Sequence, residues 1–81
     1  MSVDNPGERT FARLLREARH SAGYTQEDLA GKAKVSIRTI GNLERGVIRQ
    51  PRPSTVRHLA KALAMSHADT VRLHNAAHPH R

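Results

Sequence analysis

The chain has 81 residues, 37% of them hydrophobic, so it can form one small domain with one modest core. Its 14 lysine and arginine residues against 7 acidic residues give a net charge of +7, and it contains no cysteine. This composition excludes disulfides and thiolate metal sites. No apolar run approaches the roughly 20 residues that span a bilayer, and the N-terminal residues lack the layout of a signal peptide.

The first two segments of the chain differ in pattern. Residues 1–7 show no periodicity and are expected to form a flexible N-terminal arm. From about Glu8 to Ala22, apolar residues recur at three- and four-residue spacing, which predicts an amphipathic helix. Its apolar positions are Phe11, Leu14, Leu15 and Ala18. Gly23 follows as the C-terminal stop of this helix.

The next segment predicts two short helices joined by a tight turn. Thr25 is expected to cap the first, with Asp28 as its partner in a weak capping box, and this helix ends near Ala33. Ser36 is expected to cap the second, which spans about residues 37–45 and is ended by Gly46. The outer side of the second helix carries Ile37, Arg38, Gly41, Asn42 and Arg45. Arginine and asparagine can reach base edges and phosphates, so this arrangement is typical of a helix-turn-helix DNA reader.

The rest of the chain predicts a loop and two more helices. Residues 46–53 contain two prolines and a glycine, which predict an irregular loop. Pro53 opens a fourth helix, and Ser66 with Asp69 predicts a capping box that opens a fifth. Their expected inner faces are Val56, Leu59, Ala60 and Leu63 in the fourth, and Val71, Leu73, Ala76 and Ala77 in the fifth. Residues 79–81 are expected to form a tail.

These elements predict an all-α, compact five-helix domain over residues 8–78, with no strand pattern of useful length. Its charge is uneven, because the segment from Arg38 to Lys61 carries six basic residues and one acid, Glu44. A polyanionic partner is the natural interpretation, and a basic but inert surface is the alternative. With one phenylalanine, one tyrosine and no tryptophan, the chain is not expected to bind single strands on an aromatic stacking platform.

Three segments carry a family resemblance: Gly23-Tyr-Thr-Gln-Glu-Asp-Leu-Ala30, Val35-Ser-Ile-Arg-Thr-Ile40 and Leu43-Glu-Arg-Gly46. With these segments, residues 11–78 resemble the phage-repressor and Cro-type helix-turn-helix family, also called the xenobiotic-response-element family. The Arg/Pro-rich loop and the ending of the chain have an actinobacterial character. The resemblance implies a lambda-repressor-like fold, with the helix-turn-helix at helices 2 and 3.

The resemblance also implies roles for individual residues. The major-groove base contacts would be Ile37, Arg38, Thr39 and Asn42. The DNA backbone contacts would be Gln26, Ser36, Arg45, Arg49 and Arg52. Arg19 and Glu44 would form a partly buried ion pair. These assignments agree with the chemistry of the groups, since helix N-termini favour phosphate, arginine pairs with guanine and asparagine with adenine.

Two positions depart from the expected pattern. The family usually has glycine where this chain has Lys34, so a non-glycine residue is expected to adopt a left-handed backbone at a small cost in stability. Gly41 lies in mid-helix, where glycine costs about 1 kcal/mol relative to alanine. Either Gly41 permits a close approach to DNA or it reflects neutral drift.

Metal and catalytic sites are not expected. His74 and His78 have helical spacing and His80 follows, but no further ligand completes a site, and a frayed polar tail explains them. Ser66 and Asp69 are explained as a helix cap, and the chain has no nucleophile motif or phosphate loop. We therefore expect a protein that is not an enzyme, with no metal and no cofactor.

The expected activity is sequence-specific binding of double-stranded DNA by a transcriptional regulator, most simply a repressor. We expect a homodimer on an inverted repeat, with a candidate dimer surface at Met65, Val71 and Leu73. The expected location is the cytoplasm, on the nucleoid when bound to DNA, with no membrane association. Two alternatives stay open. The chain could be the N-terminal module of a larger regulator with a fused effector domain, or a protein-interaction, antitoxin-like module with a protein partner.

Overall fold

The computed structural model describes residues 6–48 and 50–78, with side chains from residue 11 onwards, and in these residues it is all-helical. The five helices are α1 (Pro6–Ser21), α2 (Gln26–Ala33), α3 (Ile37–Glu44), α4 (Pro53–Ala62) and α5 (His67–Ala77). The predicted fold class and helix order are confirmed. Residues 1–5 and 79–81 of the expected arm and tail lie outside the described residues.

The first helix begins earlier than the sequence pattern predicted. The sequence pattern places Pro6 and Gly7 in the arm, but α1 starts at Pro6. The physical reason is that proline suits the first position of a helix, where its missing N–H would have had no helical partner. α1 can therefore begin at Pro6, before the first residue of its apolar pattern.

Side-chain caps fix where the central helices begin. The Asp28 N–H donates to Thr25 Oγ1 and the Thr25 N–H donates to Asp28 Oδ2, both at 3.0 Å, so the expected capping box forms. These bonds from the Thr25 backbone and side chain hold the pKa of Asp28 below its ordinary value. Ser36 Oγ accepts the Thr39 N–H at 3.0 Å at the start of α3. The turn between α2 and α3 is thus set by one cap on each helix.

The cap of α5 forms only in part. Ser66 Oγ accepts the Asp69 N–H at 3.1 Å. The Asp69 carboxylate lies 3.7 Å from the Arg72 guanidinium instead of returning to the backbone of Ser66. Half of the capping box expected there is therefore replaced by an exposed i, i+3 ion pair.

Each of the first four helices is followed by a residue in the left-handed region: Gly23 (φ 76°), Lys34 (φ 60°), Gly46 (φ 78°) and Ala64 (φ 52°). The next N–H in each turn bonds back to the helix five residues earlier, as in Met65 N–H to Ala60 O at 3.0 Å. The left-handed backbone expected at Lys34 is confirmed. Ala64 was not predicted, because nothing in the sequence distinguishes it from a helical alanine.

The core lies where all five helices meet, since α1 packs on α3 and α5, α2 on α3 and α4, and α4 on α5. Its fully buried large side chains are Phe11, Leu15, Leu29, Ile40, Leu43, Val56, Leu59 and Leu73. Val71 was expected on the inner face of α5 but is 41% exposed. Val71 and the buried Leu73 are two residues apart, so their side chains leave the helix about 200° apart around its axis.

No helix in the described ranges combines the length and the apolar character that crossing a membrane requires.

Candidate nucleic-acid interface

The outer side of α3 is available to a partner because the inner side is fixed by the core. Ile40 and Leu43 are fully buried and set the rotation of the helix about its axis. Ile37, at the start of α3, is 52% exposed, and Arg38 beside it is exposed. The first turn of α3 therefore presents an apolar side chain and a cation together at the surface.

Thr39 is half-buried and its hydroxyl is engaged within the cap of α3. Its Oγ1 lies 2.8 Å from Ser36 Oγ, and either atom can donate. Ser36 itself is exposed. The two hydroxyls thus form one polar group at the N-terminus of α3, where backbone N–H groups and the helix dipole favour an anion.

The structure brings together Arg19 of α1 and Glu44 of α3. Arg19 Nε donates to Glu44 Oε2 at 2.6 Å and Nη2 donates to Oε1 at 2.9 Å, while Nη1 donates to the Tyr24 carbonyl at 2.9 Å. Arg19 is only 9% exposed and Glu44 only 5%. Such two-pronged, charge-assisted contacts fix the end of α3 against α1 and the α1–α2 turn.

The ionisation of Glu44 follows from these contacts. Burial alone raises the pKa of the carboxyl, but the hydrogen bonds from Arg19 and Gln26 and the charges of Arg19 and Arg16 outweigh burial and hold the pKa below its ordinary value. The hydrogen bond to Glu44 also raises the pKa of Arg19. The pair is therefore ionised at neutral pH.

Gln26, the first residue of α2, joins the same network. Its Nε2 donates to Glu44 Oε1 at 3.2 Å, so the start of α2 is tied to the end of α3. An amide nitrogen carries two hydrogens, and only one is needed for Glu44. Among the described residues the other N–H has no partner, so it can serve an acceptor at the N-terminus of α2.

Gly41 is buried, although the sequence pattern predicts it on the outer side of α3. A Cβ built on Gly41 would lie 3.1 Å from Arg45 Nη1 and 3.9 Å from Gln26 Oε1. The guanidinium of Arg45 therefore lies back over the helix and covers this position. Arg45 Nη2 also donates to Asn42 Oδ1 at 2.6 Å, a contact that the sequence did not predict.

The expected loop cation Arg52 is exposed and occupies the N-cap of α4 without using its side chain for the cap. Pro51 before it is buried and Pro53 after it is the first residue of α4. Both prolines restrict the backbone around Arg52. Arg49, the other expected loop contact, lies outside the described residues.

Three lysines and a histidine that sequence reasoning did not connect lie beside the α2–α3 turn. Lys32, Lys34, His58 and Lys61 line an open cleft of about 460 Å³, with Ala33 and Ala62. The Lys32 ammonium is also 5.1 Å from the centre of the Tyr24 ring. The residues meet because α2 packs on α4, a contact between helices that periodicity cannot reveal.

The histidines considered as metal ligands do not form a metal site in the described part of the chain. The rings of His74 and His78 are 5.2 Å apart between centroids, and His80 lies outside the described residues. No group of three histidine, cysteine or acidic side chains that could hold a metal ion occurs among residues 11–48 and 50–78.

Five packed helices, with α2 and α3 joined by a tight turn and polar side chains on the outer side of α3, define a helix-turn-helix protein. A family model described as a helix-turn-helix domain matches residues 10–73, and the chain belongs to this family. It is a family of DNA-binding proteins and not of enzymes, which agrees with the expectation from sequence.

The fold is similar to that of a solved protein. The crystal structure of the clp gene regulator ClgR from C. glutamicum superposes with a TM-score of 0.74 at 23% sequence identity, over 96% of this chain and 100% of that chain. At this identity the similarity concerns the fold. A search of curated proteins found no match.

Proposed function

We propose that the chain is a transcriptional regulator that binds double-stranded DNA sequence-specifically, with α3 in the major groove. One observation carries this proposal. Glu44 is the only acid between Arg38 and Lys61, and it is buried and neutralised by Arg19. The exposed cations of this segment therefore have no exposed carboxylate beside them in the sequence, which suits a polyphosphate partner.

In this proposal the first turn of α3 reads bases. The exposed Arg38 guanidinium forms forked hydrogen bonds to guanine, and the exposed Ile37 side chain contacts a thymine methyl. Thr39 presents its methyl group, since its hydroxyl is bonded to Ser36. Asn42, one turn further along, reads adenine.

The DNA backbone is held on both sides of α3. Gln26 offers its second amide N–H, and Ser36 offers a hydroxyl at the N-terminus of α3. Arg45, Arg49 and Arg52 supply charge after α3. Such contacts contribute affinity and position the helix without reading sequence, so binding is expected to weaken steeply as salt rises.

The regulator is proposed to act as a homodimeric repressor, in which a bound dimer occludes an inverted repeat whose half-sites lie about one helical turn apart. The similar fold of a clp gene regulator supports a role in gene regulation. The sequence-based dimer surface needs revision, because Leu73 is fully buried in the core. Val71, which is 41% exposed, is the proposed centre of that surface on α5.

Selection from a randomised duplex library at two salt concentrations tests the proposal. An enriched inverted repeat is expected, and Arg38→Gln should lose enrichment at one position of each half-site. Arg13→Gln is the matched control, since Arg13 is a well-exposed arginine of α1 paired with Glu17. Salt-sensitive binding without any enriched sequence would refute sequence-specific reading and point to a protein partner or a detached module.

A further inference from the structure

We infer that Arg45 is a positioning residue for Asn42, and that Gly41 is glycine because the Arg45 guanidinium needs its space. This inference rests on the proposed function and deepens it, since it names the residues that fix the preference for one base pair of the operator. It concerns three residues of one helical turn that sequence reasoning treated as independent.

The first step is the bond between the two side chains. Arg45 Nη2 donates to Asn42 Oδ1 at 2.6 Å, three residues apart on α3. A guanidinium has only donors. The opposite orientation of the amide would place the Asn42 Nδ2 donors against the Arg45 donors, so the arginine selects one orientation of the amide.

The second step is what that orientation presents to DNA. Asparagine reads adenine by donating Nδ2–H to N7 and accepting the N6 amino hydrogen at Oδ1. An amide oxygen has two lone pairs, so Asn42 Oδ1 can accept from Arg45 and from adenine together. The amide is thus ordered for adenine before DNA arrives, and the remaining N–H groups of Arg45 stay available to a phosphate.

The third step concerns Gly41. A Cβ at this position would lie 3.1 Å from Arg45 Nη1 and 3.8 Å from Arg45 Cζ. Even alanine at this position would therefore require the guanidinium that holds Asn42 to shift by a few tenths of an ångström. To the two interpretations left open by the sequence, close approach to DNA or neutral drift, this geometry adds a third, in which glycine accommodates a neighbouring side chain.

The test compares Asn42→Ala, Arg45→Ala and the double variant in the full chain. Affinity is measured for the selected operator and for operators with the adenine pair read by Asn42 replaced by each other pair. Asn42→Ala should lose roughly tenfold in discrimination, the order of one bidentate contact. Arg45→Ala should lose several-fold, and the double variant should discriminate no worse than Asn42→Ala alone.

Gly41→Ala is the second variant, since it replaces none of the proposed DNA-contacting residues. It should fold at least as stably as the wild type, because alanine favours the helix, yet discriminate less at the same pair. A readout without DNA is the order of the Asn42 side-chain NH₂ measured by NMR relaxation, which should fall in both Arg45→Ala and Gly41→Ala.

Two outcomes overturn the inference in different ways. If Arg45→Ala weakens binding equally for all base pairs and leaves the Asn42 amide ordered, Arg45 is a phosphate contact only, and the inference fails while the proposed function stands. If the wild type enriches no operator, the proposed function fails and the discriminating role of Asn42 fails with it.

Discussion

Arg19 on α1 and Glu44 on α3 are joined by two hydrogen bonds, of 2.6 and 2.9 Å, across 25 residues of sequence. Because Gln26 of α2 donates to the same carboxylate, one buried acid links the first three helices. The orientation of α2 relative to α3 in this helix-turn-helix thus depends on a group that does not face the proposed DNA surface.

Removing this carboxylate should destabilise the protein strongly. Glu44→Gln leaves the buried Arg19 guanidinium without a counter-charge, and breaking such a pair costs about 3–5 kcal/mol. Chemical denaturation at pH 7 measures the loss. Glu27→Gln, an exposed acid of α2, is the control and should stay within about 0.5 kcal/mol of the wild type. An equally small effect of Glu44→Gln would contradict a structural role for the pair.

The same carboxylate predicts a dependence on pH. Because the pKa of Glu44 is lowered from its ordinary value of 4.5 in the folded protein, its ionised form stabilises the fold fully above about pH 5. That contribution is lost as the pH falls below 4.5 and through the folded-state pKa. The free energy of unfolding should therefore fall on acidification of the wild type. It should fall less in Glu44→Gln, measured by denaturation over the same pH series.

Arg52 should contribute to affinity but not to sequence preference. Its side chain is exposed, makes no cap bond, and is proposed to contact the DNA backbone. Arg52→Gln should weaken binding to all sequences alike and reduce the slope of log K against log salt by about 1. Titration with operator and non-operator duplexes at several salt concentrations measures this. A selective loss on the operator would instead make Arg52 a base reader.

A comparison of alanine variants at Ser36 and Ser66 distinguishes a role in helix capping from a role in DNA binding. Both hydroxyls accept an N–H from three residues ahead, at 3.0 and 3.1 Å, so either serine-to-alanine change should cost about 1 kcal/mol of stability. Only Ser36→Ala should also weaken DNA binding, because Ser36 lies at the N-terminus of α3. Equal DNA affinities for the two variants, measured where both are folded, would remove Ser36 from the proposed contacts.

The two non-glycine residues with positive φ predict easy gains in stability. Lys34 and Ala64 have φ of 60° and 52°, a conformation that costs a non-glycine residue about 1–2 kcal/mol. Glycine at either position should raise the free energy of unfolding by about 0.5–1 kcal/mol, after the larger entropy of the unfolded glycine chain is subtracted. Ala62→Gly, two residues before Ala64 and inside α4, should destabilise by about 1 kcal/mol.

The dimer proposal makes a prediction for α5. Val71 is 41% exposed whereas Leu73 is fully buried. Val71→Lys should leave the thermal stability of the monomer unchanged but convert a two-to-one complex on the inverted repeat into one-to-one binding, measured by sedimentation. Leu73→Ala should instead unfold the domain more easily, by about 2–5 kcal/mol. Intact two-to-one binding by Val71→Lys would move the dimer surface elsewhere.

Most of the fold could be predicted from local sequence patterns. The caps at Thr25, Ser36 and Ser66 depend on residues three apart in sequence, so they were predictable. Apolar periodicity could not show that Val71 faces outward, because Val71 and Leu73 are both apolar and only Leu73 is buried in the core. Ala64 carried no glycine signal for its left-handed backbone.

The candidate site was predictable only in outline. Arg38 and Ile37 lie on the exposed side of α3 as their positions indicated. The burial of Gly41 was missed because it depends on where long side chains from Arg45 and Gln26 come to rest. Rotamers of long side chains are set by tertiary neighbours, which a helical period does not contain. The cleft between α2 and α4 was missed for the same reason.

The two halves of α3 differ in how freely their sequence can change. Within the described residues, the Ile37 and Arg38 side chains take part in no hydrogen bond or ion pair, whereas Asn42 and Arg45 are bonded to each other above Gly41. Under the proposed base contacts, substitutions at the first pair can therefore be selected singly, each altering one operator position. At Gly41, Asn42 and Arg45 a change of base preference requires several simultaneous replacements. In related regulators of this architecture, the operator positions read by the start of α3 should therefore change one at a time, and those read by its end should change together.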